Sequence, residues 1–205
     1  MLKERFVISH IVSIALICLF SVSLFSFTST KASVPVEKIQ SSQNLLYMKL
    51  KHGTVVIELF PEKAPNHVAR IKELVRSSFY DGLKFHRVID GFMAQTGDPR
   101  GNGTGGSGKN IKAEFNEIPH TRGILSMARA QDPNSADSQF FIVLKDSFYL
   151  DGNYTVFGRV ISGMEFVDKI KKGSPSANGS ILDGNPDIII SMAIGSDVEV
   201  VKAGQ

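Results

Sequence analysis

The chain of 205 residues is 42% hydrophobic and 21% charged, an ordinary globular balance that excludes a wholly disordered chain and makes one domain with one core the default. Its formal net charge of +3 falls to near +1 once residues 1–32 are set aside, since Lys+Arg drops from 23 to 20 and Asp+Glu from 20 to 19. That leaves no electrostatic case for nucleic acid or an anionic membrane surface as a partner.

Residues 1–32 have the three parts of an export signal: Lys3 and Arg5, an apolar run from Phe6 to Phe27, and small residues around Thr30-Lys31-Ala32. The run is also long enough to cross a bilayer as an uncleaved anchor. Either reading exports the rest of the chain, to the periplasm. Cys18, the only cysteine, follows Ile17 inside this leader. The exported part therefore has no disulfide or thiolate chemistry. Ser33 to Asn44 is a polar linker.

The domain is expected over residues 45–196, with 197–205 as a tail. Leu46, Met48 and Leu50, then Val55, Ile57 and Leu59, alternate with polar residues about His52-Gly53, which predicts a hairpin. Between Pro61 and Asp81 the period changes. Ala64, Val68, Ile71 and Val75 recur at helical spacing behind Pro65. A strand follows with Phe85, Arg87 and Ile89 on one face and His86 and Val88 on the other, then a turn at Asp90-Gly91 and a strand through Thr96. Gly101 to Asn110, with five glycines, reads as a long mobile loop. Strands are expected at 124–128, 139–144, 156–161 and 188–194, and a second helix from Gly163 to Lys172. This pattern suits a closed antiparallel barrel or a sandwich with helices over its open ends.

The strand Gln139-Phe140-Phe141-Ile142-Val143-Leu144 is apolar on both faces. One face has the core; the other needs a cover, whether helix, partner or ligand. Gln139 lies beside Phe141 on that second face, and Met93 and Gln95 repeat the pairing. Brought together with Arg87, these residues form an apolar hollow with two amides and a fixed cation at its rim, suited to a ligand with an apolar body and a carbonyl. A groove that only binds peptides, as a chaperone or scaffold does, and a barrel enclosing a small apolar ligand are the alternatives.

Other chemistries fit poorly. Gly103 to Asn110 resembles a phosphate loop but has Asn110 at the hydroxyl position and no helix after it. His52, His67, His86 and His120 lack paired spacing, so no metal is expected, and His86 reads as buried and hydrogen-bonded. Ser126, Ser135 and Ser138 lack a nucleophile elbow. Asp132 and Asp137 read as turn residues.

Residues 85–98, Phe-His-Arg-Val-Ile-Asp-Gly-Phe-Met-Ala-Gln-Thr-Gly-Asp, resemble the signature of the cyclophilins, peptidyl-prolyl cis-trans isomerases. Gly123 to Ala130, Ser138 to Ile142, and Leu150-Asp151-Gly152 with Val156 to Val160 continue the resemblance in order. It implies a closed eight-stranded antiparallel barrel capped by two α-helices, an isomerase without cofactor, proline-containing polypeptides as partners, and a monomer that meets a membrane only through its N-terminal segment. Carried over by position, the active-site residues are Arg87 and Gln95. The proline pocket falls on Phe92, Met93, Gln139, Phe141 and Leu150, and the peptide-backbone contacts on Ala128, Arg129 and Ala130. Arg129 stands where many members have Asn, and Thr96 where Gly is usual. Tyr149 and Tyr154 stand where eukaryotic members have Trp and His, a pair of changes that speaks against tight cyclosporin binding. The expected mechanism is a hydrogen bond from Arg87 to the prolyl nitrogen of a twisted amide, with Phe92, Met93 and Phe141 holding the ring.

Overall fold

The structure, a computed structural model, describes residues 42–182 and 184–198. The leader, the linker up to residue 41 and the tail after 198 lie outside the described residues. Eight strands are present: β1 (Leu45–Leu50), β2 (Gly53–Leu59), β3 (Arg87–Ile89), β4 (Met93–Thr96), β5 (Ile124–Met127), β6 (Phe140–Val143), β7 (Val156–Ser162) and β8 (Ser191–Ile194). They form one antiparallel sheet in the order β3-β4-β6-β5-β7-β2-β1-β8.

The sheet is open, which corrects the expected closed barrel. β3 and β8 are its two edges and do not pair. The reason lies in the loop after residue 172, which occupies the free edge of β3: Val88 N–H donates to Gly179 O and Gly173 N–H to Val88 O, both at 2.8 Å. Only the segments preceding the edge strands meet, through Gly82 N to Ile189 O, Ile189 N to Leu83 O, and Phe85 N to Asp187 O. Three such bonds contribute roughly 3 kcal/mol net. Inside the curl, Tyr80, Phe85, Phe140 and Phe157 are fully buried, each worth about 1.5–3 kcal/mol or more. The packed interior, not the closing bonds, holds the curvature. It also excludes the reading of the barrel as a container for an apolar ligand.

Helix α1 (Pro65–Arg76) sends Val68, Ile71, Leu74 and Val75 into this core. Ala64 offers its first turn no side-chain cap. Glu114 does so from a distant loop, accepting Asn66 N–H and His67 N–H at 3.1 Å each. Helix α2 (Met164–Asp168) has five residues and is shorter than its apolar spacing predicts. Asp187 takes the Lys171 N–H, and Gly173 is drawn into the β3 edge, so the chain leaves the helical path while Ile170 stays buried.

β6 divides two apolar clusters. Phe140, Ile142 and Leu144 face the main core, while Phe141 and Val143 join Met93, Ile124, Leu150 and Val156 on the outer side. The cover that the second face requires is thus partly the chain's own, and partly an open slot.

The candidate active site

Register builds the site. The turn after Ile89 carries Gly91 at φ 66, the left-handed geometry a three-residue hairpin needs, and it sets Arg87 opposite Gln95 and Ile89 opposite Met93. Gln95 in turn pairs with Phe141, and Phe141 with Ser126. Directly paired residues share a face, so cation, amide and aromatic ring form one row across β3, β4 and β6. The alternation expected on β3 fails at one point: the strand starts at Arg87, and Phe85 is buried with Val88 in the main core.

A chain of hydrogen bonds runs along the row. Arg87 Nη1 donates to Gln95 Oε1 (3.2 Å), Gln95 Nε2 to Gln139 Oε1 (2.9 Å), and Gln139 Nε2 to Gly103 O (3.1 Å) and Gly105 O (2.7 Å). A guanidinium only donates, so its presence fixes which end of each amide faces which neighbour. At the other end, Arg87 Nε and Nη2 donate to Asn178 O (3.0 Å) and Asn178 Oδ1 (3.1 Å). Burial lowers the Arg87 pKa from its ordinary value, opposed by Tyr154 and Tyr149. Starting from so high a value, the group remains a cation at neutral pH.

Beside the cation lies a hollow of about 280 Å³. Its buried walls are Met93, Phe141 and Leu150. Phe92 and Tyr149 pair at its mouth with ring centroids 5.7 Å apart, and Tyr154 stands edge-on to Phe141 at 5.9 Å. Ala128 and Arg129 form its lip and, with Gln95, separate it from a second hollow of about 390 Å³ that reaches Ala130, Gln139 and the 103–106 loop. All twelve residues singled out from the sequence line one hollow or the other.

Ala128 N–H is tied to Gln139 O and Ala130 N–H to Ser135 Oγ. Between them, the main-chain N–H and C=O of Arg129 have no hydrogen-bond partner among the described residues. The Arg129 side chain turns away instead, donating to Asn153 O, Ala130 O and Gln131 O, with its guanidinium 4.7 Å from the centre of the Tyr154 ring. Thr96 is buried and its hydroxyl donates to Lys84 O.

Some features escaped the sequence reading. His86 is buried as expected, but neither ring nitrogen has a hydrogen-bond partner. The glycine-rich loop is held rather than free: the Asp98 carboxylate accepts the Arg100, Asn102 and Gly103 N–H groups, and Asp137 accepts from Ser107 and Gly108. Asn178 carried no signal beyond an Asn-Gly turn in a polar loop, and His120, in the polar stretch 116–123, carried none.

The sequence profile described as cyclophilin type peptidyl-prolyl cis-trans isomerase/CLD matches residues 45–193. A probable peptidyl-prolyl cis-trans isomerase of Brucella suis is 52% identical over 169 residues, 77% of this chain and 85% of its own. Peptidyl-prolyl cis-trans isomerase B of Bacillus subtilis is 48% identical over 130 residues, 62% of this chain and 90% of its own. Among solved structures, cyclophilin AquaCyp293 of Hirschia baltica superposes with a TM-score of 0.67 at 30% identity, covering 81% of this chain and 82% of its own. A Cryptosporidium parvum cyclophilin crystallised in the presence of the dipeptide Ala-Pro gives 0.66 at 33%, covering 73% and 98%. The chain belongs to the cyclophilin-type peptidyl-prolyl cis-trans isomerases.

Proposed function

We propose that this enzyme accelerates rotation about X-Pro bonds by non-covalent stabilisation of the twisted amide. Resonance sets a barrier of about 18–20 kcal/mol on that rotation. When the amide twists, the prolyl nitrogen loses conjugation and becomes an acceptor. A donor that meets it there lowers the barrier without proton transfer. The observation that carries the reading is the Arg87 guanidinium, held by neutral acceptors at the rim of a hollow walled by Met93 and Phe141.

In this reading Phe92, Met93, Phe141 and Leu150 grip the pyrrolidine. Gln95 and Gln139 fix the cation and the far wall, while the unpaired main chain of Arg129 receives the peptide backbone. Tyr149 and Tyr154 close the sides. The substrates are proline-containing segments of polypeptides, in keeping with the Ala-Pro dipeptide of the Cryptosporidium relative. From the leader we further read the domain as an exported, periplasmic monomer, soluble or tethered by residues 6–27; the mass of the mature N-terminus distinguishes the two.

The test of mechanism is Arg87→Ala in a protease-coupled assay on an Ala-Pro-Phe peptide. Loss of a preorganised donor of this kind costs about 10²–10³ in rate. An unchanged rate removes Arg87 from the mechanism.

A further inference from the structure

Asn178 lies 91 residues downstream of Arg87 and lines no part of the slot. Yet it takes two of the five guanidinium N–H groups, Nε–H on its main-chain oxygen and Nη2–H on its side-chain oxygen. Gln95 takes a third, on Nη1. The Met93 sulfur accepts weakly from Nη1 at 4.0 Å, so the terminal side between Nη1 and Nη2 is the part held only by a weak acceptor, which a ligand can replace.

The loop is built to deliver this contact. Asn178 adopts φ 51, ψ 40, a left-handed conformation that Asn accepts better than most residues. The next residue has to be glycine, because a Cβ on Gly179 would stand 2.4 Å from the Ile89 side chain and 3.1 Å from the Val88 main chain. Gly179 O and Gly173 N then bond to Val88, the residue after Arg87. Loop and strand are stapled together at the position where the cation leaves the chain.

The choice of acceptors matters as well. Among the described residues Arg87 has no carboxylate partner. A carboxylate would orient the fork as firmly but would neutralise much of its field. Amide and carbonyl oxygens orient it and leave the charge available.

We propose that Asn178 is a positioning residue for isomerisation, holding the Arg87 guanidinium with its terminal fork toward the slot without touching the substrate. The proposal rests on the role of Arg87 given above, and the test separates the two.

Asn178→Gly keeps the left-handed turn and the main-chain acceptor and removes the side chain with its Oδ1 acceptor. We expect kcat to fall about 3- to 10-fold with KM and melting temperature nearly unchanged, the scale of one ordinary net hydrogen bond. In an Arg87→Ala background the same change has no further effect, because the residue acts through the guanidinium. NMR should show faster hydrogen exchange of the Arg87 Nη2–H group in Asn178→Gly than in wild type, since that group loses its acceptor while Nε–H keeps the main-chain oxygen. Wild-type kcat in Asn178→Gly overturns the inference, and so does an equal loss in the Arg87→Ala background. If Arg87→Ala alone leaves the rate intact, the catalytic reading of Arg87 fails instead.

Discussion

His120 lies flat beneath Phe141, the ring centroids 6.2 Å apart and the planes at 18°. The histidine is fully buried, with Nδ1 on Asp151 Oδ1 (2.8 Å) and Nε2 on Ser126 Oγ (3.0 Å). Burial would raise the Asp151 carboxyl, but hydrogen bonds from the His120 main chain and ring outweigh it and hold the group below its ordinary value. The slot's main aromatic wall therefore rests on a ring locked at both nitrogens. His120→Ala should cost about 3 kcal/mol, the scale for removing a large buried ring, and should raise KM for a proline peptide as Phe141 tilts into the space. Urea titration and steady-state kinetics measure the two effects. A destabilised variant with wild-type KM would show that Phe141 holds its place without the histidine.

The start of α1 is a pH-sensitive joint. Burial would raise the Glu114 carboxyl, yet hydrogen bonds from His67 and Asn66 hold it below the ordinary glutamate value. A depressed carboxyl adds stability that is complete above the unfolded pKa of about 4.3 and is lost as pH falls through the folded one. His67 is lowered by burial, against the raising effect of Glu114. Its neutral form is the folded one, so it too loses stability as pH drops below about 6.5. Glu114→Gln keeps an acceptor but removes the charge and should cost about 1–2 kcal/mol at pH 7. The gap from wild type in denaturation midpoint should narrow steadily toward pH 3. A gap independent of pH would assign the effect to packing alone.

The polarity of the Arg87-Gln95-Gln139 chain gives a third expectation. Gln95→Glu preserves an acceptor for Arg87 but presents a second acceptor to Gln139 Oε1, where Gln95 now donates. Either the two oxygens repel, or Gln139 flips and turns its oxygen onto the Gly103 and Gly105 carbonyls. Each outcome leaves a polar contact unsatisfied, at a cost of about 1–3 kcal/mol. We expect kcat/KM to fall about tenfold and amide exchange across residues 102–106 to quicken. Wild-type kinetics would mean that the chain's direction has no bearing on catalysis.

What the sequence made legible was whatever repeats with period two. Leu46, Met48 and Leu50 are buried as their alternation requires, and Phe140 and Phe141 part to opposite faces. The Asp90-Gly91 turn fixed the Arg87–Gln95 register, so the row of Arg87, Gln95 and Phe141 could be assembled from spacing and resemblance. Contacts made by irregular backbone were not legible. The 173–181 loop has no apolar period, yet its main chain covers the β3 edge and keeps the sheet open. Asn178 reaches Arg87 partly through a main-chain oxygen, which any residue type possesses. Glu114 caps the Asn66 and His67 N–H groups, 48 and 47 residues earlier in sequence, beyond the reach of any local capping signature.

Two arginines border the same hollow, and their substitutions should behave oppositely. The Arg129 guanidinium is committed to Asn153, Ala130 and Gln131 carbonyls and to the Tyr154 ring, while its main chain is what remains unpaired toward the groove. Arg129→Asn removes a stacking contact worth about 0.5–1 kcal/mol but leaves the backbone groups in place, so kcat/KM should stay within about threefold to fivefold of wild type. Arg87→Lys keeps the charge, yet a single ammonium on a flexible stem cannot span Asn178 and Gln95 while offering a fork to the amide. Its kcat/KM should fall by at least about tenfold. Assays of both variants on one proline peptide at pH 7 decide the matter: a large loss in Arg129→Asn would move the essential contact from main chain to side chain, and a fully active Arg87→Lys would reduce the requirement at that position to charge alone.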